Sequence, residues 1–438
     1  MIQFAGFRLE HRSTLRPPIL GVAFLLGGLF SCLALHGQNT SPLDTAPGVN
    51  PTSDMNGNAV TNAPAPITTA PGVSPAPDMN ANGATNAPAS TAAGAAVTPA
   101  PPVIDRPAQL ALVAREAAMP SITPELKVSG NQLVTADGKA VWLQGLNVPM
   151  LGWAADGEHK TPFSVYIAIH DWKANAVRLP VQDKLWFGKG NPAAADAYRK
   201  LVDDSIGIAA ANGAYIILDL HRFLTPDQSC VDFWKDAAAR YKNNPAVLFD
   251  VFNEPHDTSW DVWRNGGSVP MKGNKPPVQS VGMQALVDAV RGTGANNIIV
   301  AGGLGYAYDL SGVLNGFALE DKTGNGIMYA THFYNWHKGW EQHILGVAAK
   351  YPVLVGETGA DIHKMPFIKA DQQEDPYTWA PDAIGFIQKN HLNWTAWSFH
   401  TRATPDLILD WNYTPTPYWG AFVKDALAGK QFDMSHMR

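Results

Sequence analysis

Val247-Leu248-Phe249-Asp250-Val251-Phe252-Asn253-Glu254-Pro255 is an apolar run that stops at an amide, a carboxylate and a proline. A strand built this way delivers a fixed carboxylate to the end of a sheet. Val353-Leu354-Val355-Gly356-Glu357 repeats the pattern further along the chain. Two strand-end carboxylates are what acid/base-plus-nucleophile chemistry on sugars requires.

Other runs of the same kind lie on either side: Leu143–Asn147, Ala176–Leu179, Tyr215–Leu220, Asn297–Ala301, Met328–Phe333 and Trp394–Ser398, with the fourth and seventh strands at Val247–Phe252 and Pro352–Gly356. All are short, nearly continuously apolar and rich in Val, Ile and Leu, as parallel strands covered on both faces should be. Helical periodicity fills the gaps, over Tyr198–Ala211, Val231–Lys242, Met283–Arg291, Glu341–Lys350 and Ala383–Asn390. Eight strands with interleaved helices predict an α/β chain folded as a (β/α)8 TIM barrel. A doubly wound sheet is the competing reading, but no glycine-rich phosphate fingerprint follows the first strand. Ahead of the barrel, Leu126–Val128 and Leu133–Val134, with turn signals at Gly130-Asn131 and Asp137-Gly138, predict an N-terminal β-hairpin that closes the barrel bottom.

The working residues of such a barrel sit where its strands end. Polar or aromatic groups recur there: Arg178, His221, Asn253 with Glu254, His332 with Tyr334, Glu357 and Trp397. Each has an ordinary alternative, as a surface acid, a core histidine or a scaffold ion pair. Their recurrence at the same end of six strands favours a site. Arg178 is expected to pair with a catalytic carboxylate and favour its ionised form. Asp219 is read as structural and expected on the face opposite His221. No His-x-Glu-x-His or Cys/His spacing supports a metal site, and no cofactor is implied.

In order and one by one, Arg178, His221, Asn253-Glu254, His332, Tyr334, Glu357 and Trp397 resemble the pattern of glycoside hydrolase family 5, the cellulase-like barrels. The phrases Val128-Ser129-Gly130-Asn131-Gln132-Leu133 and Leu143-Gln144-Gly145-Leu146-Asn147 are similar to that family as well. The resemblance covers residues 124 to 428. It implies Glu254 as acid/base and Glu357 as nucleophile of a retaining double displacement, stabilised by Arg178 and Tyr334. It further implies Asn253 at the sugar 2-hydroxyl, His221 and His332 on neighbouring hydroxyls and the acid/base, and Trp397 as floor of the sugar site. The implied activity is that of an exported endo-β-1,4-glucanase on β-linked polysaccharide. A β-mannanase or other β-glucan hydrolase on the same machinery is the alternative. A non-catalytic carbohydrate-binding surface protein is the reading from another class, and the paired carboxylates argue against it. Loop aromatics suggest further sugar platforms: Trp153 and Trp336 foremost, then Trp186, Phe187, Trp260, Trp263 and Trp340.

The chain's 438 residues could hold more than one domain, but all 14 Trp lie from Trp142 onward. Between Gln38 and Ile104 the only charges are Asp44, Asp54 and Asp78, and no aromatic stands between Phe30 and Trp142. Such a segment cannot bury enough apolar area to offset its ordering entropy, so residues 38–123 are expected to be a disordered Pro/Ala/Thr/Asn linker. Within it Thr45-Ala46-Pro47-Gly48-Val49 recurs as Thr69-Ala70-Pro71-Gly72-Val73, a linker duplication. Residues 1–37 carry Arg8, Arg12 and Arg16 before the apolar run Ile19 to Leu35, the pattern of an export signal or membrane anchor. Leu29-Phe30-Ser31-Cys32 approaches a lipobox, with Phe30 out of place. A secreted, periplasmic or cell-surface catalytic domain over residues 124–438, acting as a monomer, is the expectation. Of the two cysteines only Cys230 falls in that domain, where a core role is expected. A net charge of −6 with no basic cluster excludes a nucleic-acid partner.

Overall fold

A computed structural model of the chain describes residues 106–149, 160–271, 273, 275–365, 368–369 and 371–438. The expected export segment, residues 38–105 of the linker and Trp153 lie outside the described residues.

Eight parallel strands close into a barrel: β1 Gln144–Asn147, β2 Ala176–Val181, β3 Tyr215–Leu220, β4 Val247–Asp250, β5 Ile299–Gly302, β6 Ile327–Tyr334, β7 Val353–Gly359 and β8 Asn393–Ala396. Neighbours pair in sequence order, and Trp394↔Gln144 of β8 and β1 closes the ring. The (β/α)8 fold is as the strand spacing predicts.

Alternation along each strand sorts side chains into two separate cores. Leu143, Ala176, Tyr215, Ile217, Leu248, Val300, Met328, Ala330 and Leu354 fill the barrel interior. Val177, Ile216, Leu218, Phe249, Ala301, Tyr329 and Val355 face the surrounding helices. This period of two is why the strands read as continuous apolar runs, since both faces are dry.

The hairpin Leu126–Ser129 with Gln132–Thr135 pairs antiparallel, and its Leu126 and Leu133 join the interior cluster from below. Helices begin where local chemistry starts them. Asn191 accepts from the amides of Ala193 and Ala194 ahead of Pro192–Ala211, and Asp227 accepts from Ser229 ahead of Gln228–Tyr241. The helix expected over Glu341–Lys350 forms over Glu341–Ala348, beginning as a π-helix, Glu341–Leu345, and continuing as the α-helical turn Gly346–Ala348.

The linker reading needs correction at its end. Arg106–Ala117 is a helix with Val113 and Glu116 buried. It lies against Pro192–Ala211 at Gly207, where any Cβ would come within 2.5 Å of the Ala117 carbonyl oxygen. Thr123 Oγ1 then bonds the Ala210 and Ala214 carbonyls at 3.1 and 3.0 Å. Residues 106–123 are therefore ordered and do not belong to a disordered linker. An aromatic-free segment orders here because it docks on an existing surface rather than building a core.

Candidate active site

Above the apolar layers the barrel interior turns polar, and the same alternation places each group. Arg178 follows Ala176 inward, Asp219 follows Ile217, Asp250 follows Leu248, and His332 follows Ala330. Glu357 breaks the rule. Thr331 pairs with Val355, but His332 pairs with Glu357, so Gly356 is an extra residue bulged out of register. A bulge lets two successive residues face the same side, which turns Glu357 inward. Gly356 is required there, because a Cβ would stand 2.8 Å from His332 Nε2.

Arg178 is fully buried and holds the site together. Its Nε donates to Asp250 at 2.9 Å, its Nη1 to Asn147 at 3.0 Å and to Glu357 Oε1 at 2.9 Å. Its Nη2 donates to Asn253 Oδ1 at 2.8 Å and lies 3.1 Å from Asp219. Burial alone would lower the guanidinium pKa, but the charges of Asp219, Asp250 and Glu357 outweigh it and raise it. One guanidinium cannot balance three carboxylates in a water-poor site. Burial accordingly pushes Asp219 up to about 7 and Asp250 up to about 8, against the pull of Arg178.

Glu254 and Glu357 stand on opposite arms of this frame, with His332 between them. Ligand atoms of the three residues all lie within 4.8 Å of one another. His332 Nδ1 is 3.0 Å from Glu254 Oε1 and 3.6 Å from Glu357 Oε2. Burial first, and then Arg178, hold the His332 pKa well below its ordinary value. The neutral ring and the Glu254 carboxyl share one hydrogen bond across the 3.0 Å contact. The Tyr334 hydroxyl donates to Glu357 Oε2 at 2.6 Å. Burial, then the charge of Glu357, raise Glu254 well above the carboxylate range, opposed by Arg178. Two carboxylates and an imidazole could in principle ligate a cation. Their facing lone pairs are already engaged by Arg178, Tyr334 and His332, which fits acid/base work better than a metal cage.

Asn253 is oriented by its neighbour. Arg178 can only donate, so the Asn253 carbonyl oxygen faces it and the Nδ2 amide is left outward. That buried Nδ2 has no partner among the described residues. His221 Nδ1 and Asp219 Oδ2 are hydrogen-bonded at 2.7 Å, and the His221 pKa is lowered to about 4 mainly by burial. Its ring lies parallel to Trp397, 5.7 Å away and 8° off parallel. Tyr334, Trp397 and Ala403 form one buried cluster with Trp336 packed on it, and Trp336 stacks on Tyr334 at 4.9 Å and 8°.

The structure thus gathers Arg178, His221, Asn253, Glu254, His332, Tyr334, Glu357, Trp397 and Trp336. Some sequence expectations fail. Trp186, Trp263 and Trp340 are wholly buried, each with its indole N–H bonded, to Asp236 Oδ1, the Gly302 carbonyl and the His337 carbonyl. They are core, not cleft. Asp219 is not opposite His221: the chain leaves the strand after Leu220 and the two side chains are hydrogen-bonded at 2.7 Å. Asp250 and Asn147 were missed: the one interrupts an apolar strand and the other ends β1, signals that the alternation rule would have caught. Tyr306 was missed too. It stacks on His256 at 4.0 Å, two residues beyond Glu254, and its amide donates to the Pro255 carbonyl. Its φ of 61° leaves no periodic sequence signal. Cys230 is buried, with its thiol pushed up to about 12 chiefly by burial, as a core residue should be.

A family model described as Cellulase (glycosyl hydrolase family 5) matches residues 134–403. Among curated proteins, the chain is 24% identical over 298 residues to "Cellulase CelDZ1" of Thermoanaerobacterium sp, covering 65% of this chain and 73% of that one. It is 25% identical over 290 residues to "Endoglucanase E-5" of Thermobifida fusca, covering 63% of this chain and 55% of that one. The chain thus spans little more than half of several such relatives. Among solved structures, the β-glucanase SdGluc5_26A of Saccharophagus degradans superposes with a TM-score of 0.59 at 23% identity, over 70% of this chain and 93% of that one. That likeness is one of fold.

Proposed function

The chain belongs to glycosyl hydrolase family 5, and on that premise we propose that it is an exported, retaining endo-β-1,4-glucanase. The observation that carries the retaining reading is the spacing of Glu254 and Glu357, whose facing oxygens lie within 4.8 Å. Inversion needs carboxyl groups about 6.5–9.5 Å apart, to seat a water between base and sugar.

Glu357 attacks the anomeric carbon. Arg178 and Tyr334 each hold one of its oxygens, which aims the attack. Glu254 keeps its proton because it is buried beside that charge, and passes it to the leaving oxygen. Once the glycosyl-enzyme bond forms, the charge on Glu357 is gone. The part of the upward pKa shift that this charge causes goes with it, and Glu254 becomes the base that activates water. His332 steadies the Glu254 carboxyl in both roles. The unpaired Asn253 Nδ2 is set to donate to the sugar 2-hydroxyl, a bond that offsets roughly 1–3 kcal/mol of desolvation otherwise left unmet. Trp397 and Trp336 offer ring faces to the sugar chain, and the His256–Tyr306 stack lies on the Glu254 side, where the leaving group departs.

The glucan assignment rests on relatives named as cellulases and endoglucanases, and on a β-glucanase of the same fold determined with cellotetraose. Export rests on the pattern of residues 1–37. Hydrolysis of carboxymethyl-cellulose, mixed-linkage glucan, xyloglucan and mannan side by side tests the substrate, with the β-glucans expected to be cleaved. Cleavage of mannan alone would make the protein a β-mannanase. Proton NMR of the first product tests the mechanism, with the β-anomer expected and an initial α-anomer refuting it.

A further inference from the structure

We propose that Arg438 is a positioning residue for the sugar-binding loop 335–340, which it fastens to the helix Pro376–Lys389. The proposal rests on the reading of Trp336 as a sugar platform.

The loop after β6 has no regular structure of its own, yet it carries Trp336 against Tyr334, the hydroxyl partner of Glu357. Its first turn is self-closed. The His337 amide donates to the Tyr334 carbonyl and the Tyr334 amide donates back to His337 Nδ1, both at 2.9 Å. The remaining anchors are distant in sequence. Asn335 pairs with the backbone of Glu374 in both directions, at 2.6 and 2.8 Å. The Glu374 carboxylate takes Lys338 on one oxygen and Arg438 Nε, at 2.8 Å, on the other. The Trp340 amide donates to the Arg438 carbonyl at 2.8 Å, and the guanidinium covers the Trp340 ring at 5.5 Å.

Arg438 is held from behind with equal care. Its Nη1 donates to Asp382 Oδ2 at 2.6 Å, and the two side chains are 3% and 2% exposed. The segment leading to it is strapped along the same helix. Gln388 clasps the Lys430 carbonyl and the Phe432 amide, at 2.8 and 2.9 Å, and Asp382 accepts from Ser435. Gly385 lets the segment lie flush, since a Cβ would meet the Phe432 carbonyl at 2.7 Å. A bidentate guanidinium spanning Glu374 and Asp382 cannot be matched by an ammonium, which is a point charge. Three of the loop's anchors, at Asn335, Lys338 and Trp340, thus converge on Glu374 and Arg438.

Arg438→Met keeps the stem and removes the donors. Hydrogen exchange is expected to quicken by about tenfold at the amides of 335–340, with the amides of β1–β8 unchanged. The KM for the polysaccharide that the wild type cleaves should rise about fivefold to tenfold with kcat within about twofold, the signature of lost binding rather than lost chemistry. Arg438→Lys should recover part of each effect. Glu374→Gln, which leaves the Arg438–Asp382 pair in place, should shift both readouts in the same direction and serves if Arg438→Met does not fold. Unchanged exchange in the loop, or faster exchange with unchanged KM, overturns the proposal and leaves Arg438 with a stabilising role alone. If the wild type cleaves none of the four polysaccharides, the functional reading fails, while the exchange measurement still decides whether Arg438 holds the loop.

Discussion

Removing the charge of Glu357 should release the proton of Glu254, and the size of the effect follows from their spacing. With facing oxygens at 4.8 Å or less, two unit charges at an effective dielectric of about 20 repel by about 3.5 kcal/mol, or roughly 2.5 pKa units. Burial supplies the larger part of the upward shift of Glu254 and stays in place. Glu357→Gln keeps the side-chain volume and an oxygen for Arg178 while deleting the charge. The Glu254 pKa should therefore fall by about two units without returning to that of a free carboxyl. The sign is fixed: losing a neighbouring negative charge favours the ionised form. Carbon-13 NMR of protein labelled at the glutamate carboxyls can follow the titration, with Glu254→Gln assigning the resonance. A Glu254 pKa that moves by less than about half a unit would refute the coupling, and with it the account of how one residue serves as acid and then as base. On the proposed mechanism the same group sets the basic limb of kcat/KM, with activity lost as pH rises through its raised pKa.

Tyr334→Phe deletes a 2.6 Å bond to Glu357, the proposed nucleophile; kcat/KM should fall about tenfold to 150-fold, the worth of a charge-assisted bond of about 1.5–3 kcal/mol, with the melting temperature nearly unchanged. Arg178→Met leaves Asp219, Asp250 and Glu357 buried without their counter-charge; urea unfolding should show a loss of about 3–5 kcal/mol, and Arg178→Lys should not restore it because an ammonium lacks the fork. Gly356→Ala puts a methyl 2.8 Å from His332 Nε2; displacing that ring should cost more than about tenfold in kcat while far-ultraviolet circular dichroism stays native, because the ring steadies Glu254, the proposed proton donor.

Legibility in the sequence followed the physics of each feature. A strand buried on both faces must be apolar throughout, so a polar residue at its end stands out; Arg178, Glu254 and Glu357 were visible for that reason. Asp219 and Asp250 were equally visible as interruptions but need the inward parity of Ile217 and Leu248 to be placed. The loop tryptophans carried no such rule. Trp186 and Trp263 became core because Asp236 and the Gly302 carbonyl satisfy their indoles, partners that lie far away along the chain.

The order of strands, the barrel they form and the two carboxylates at its mouth were thus contained in the chain's own alternation of apolar and polar residues. Tertiary contacts decided the rest. The bulge at Gly356 that turns Glu357 inward exists only as register against β6. The free Asn253 amide exists only because Arg178 takes its oxygen. The helix Arg106–Ala117 packs against Pro192–Ala211, with its end at Gly207 and Val113 in the core. Local sequence can specify a side chain's chemistry and the period of its strand. Its direction and its proton depend on the groups that face it across the barrel.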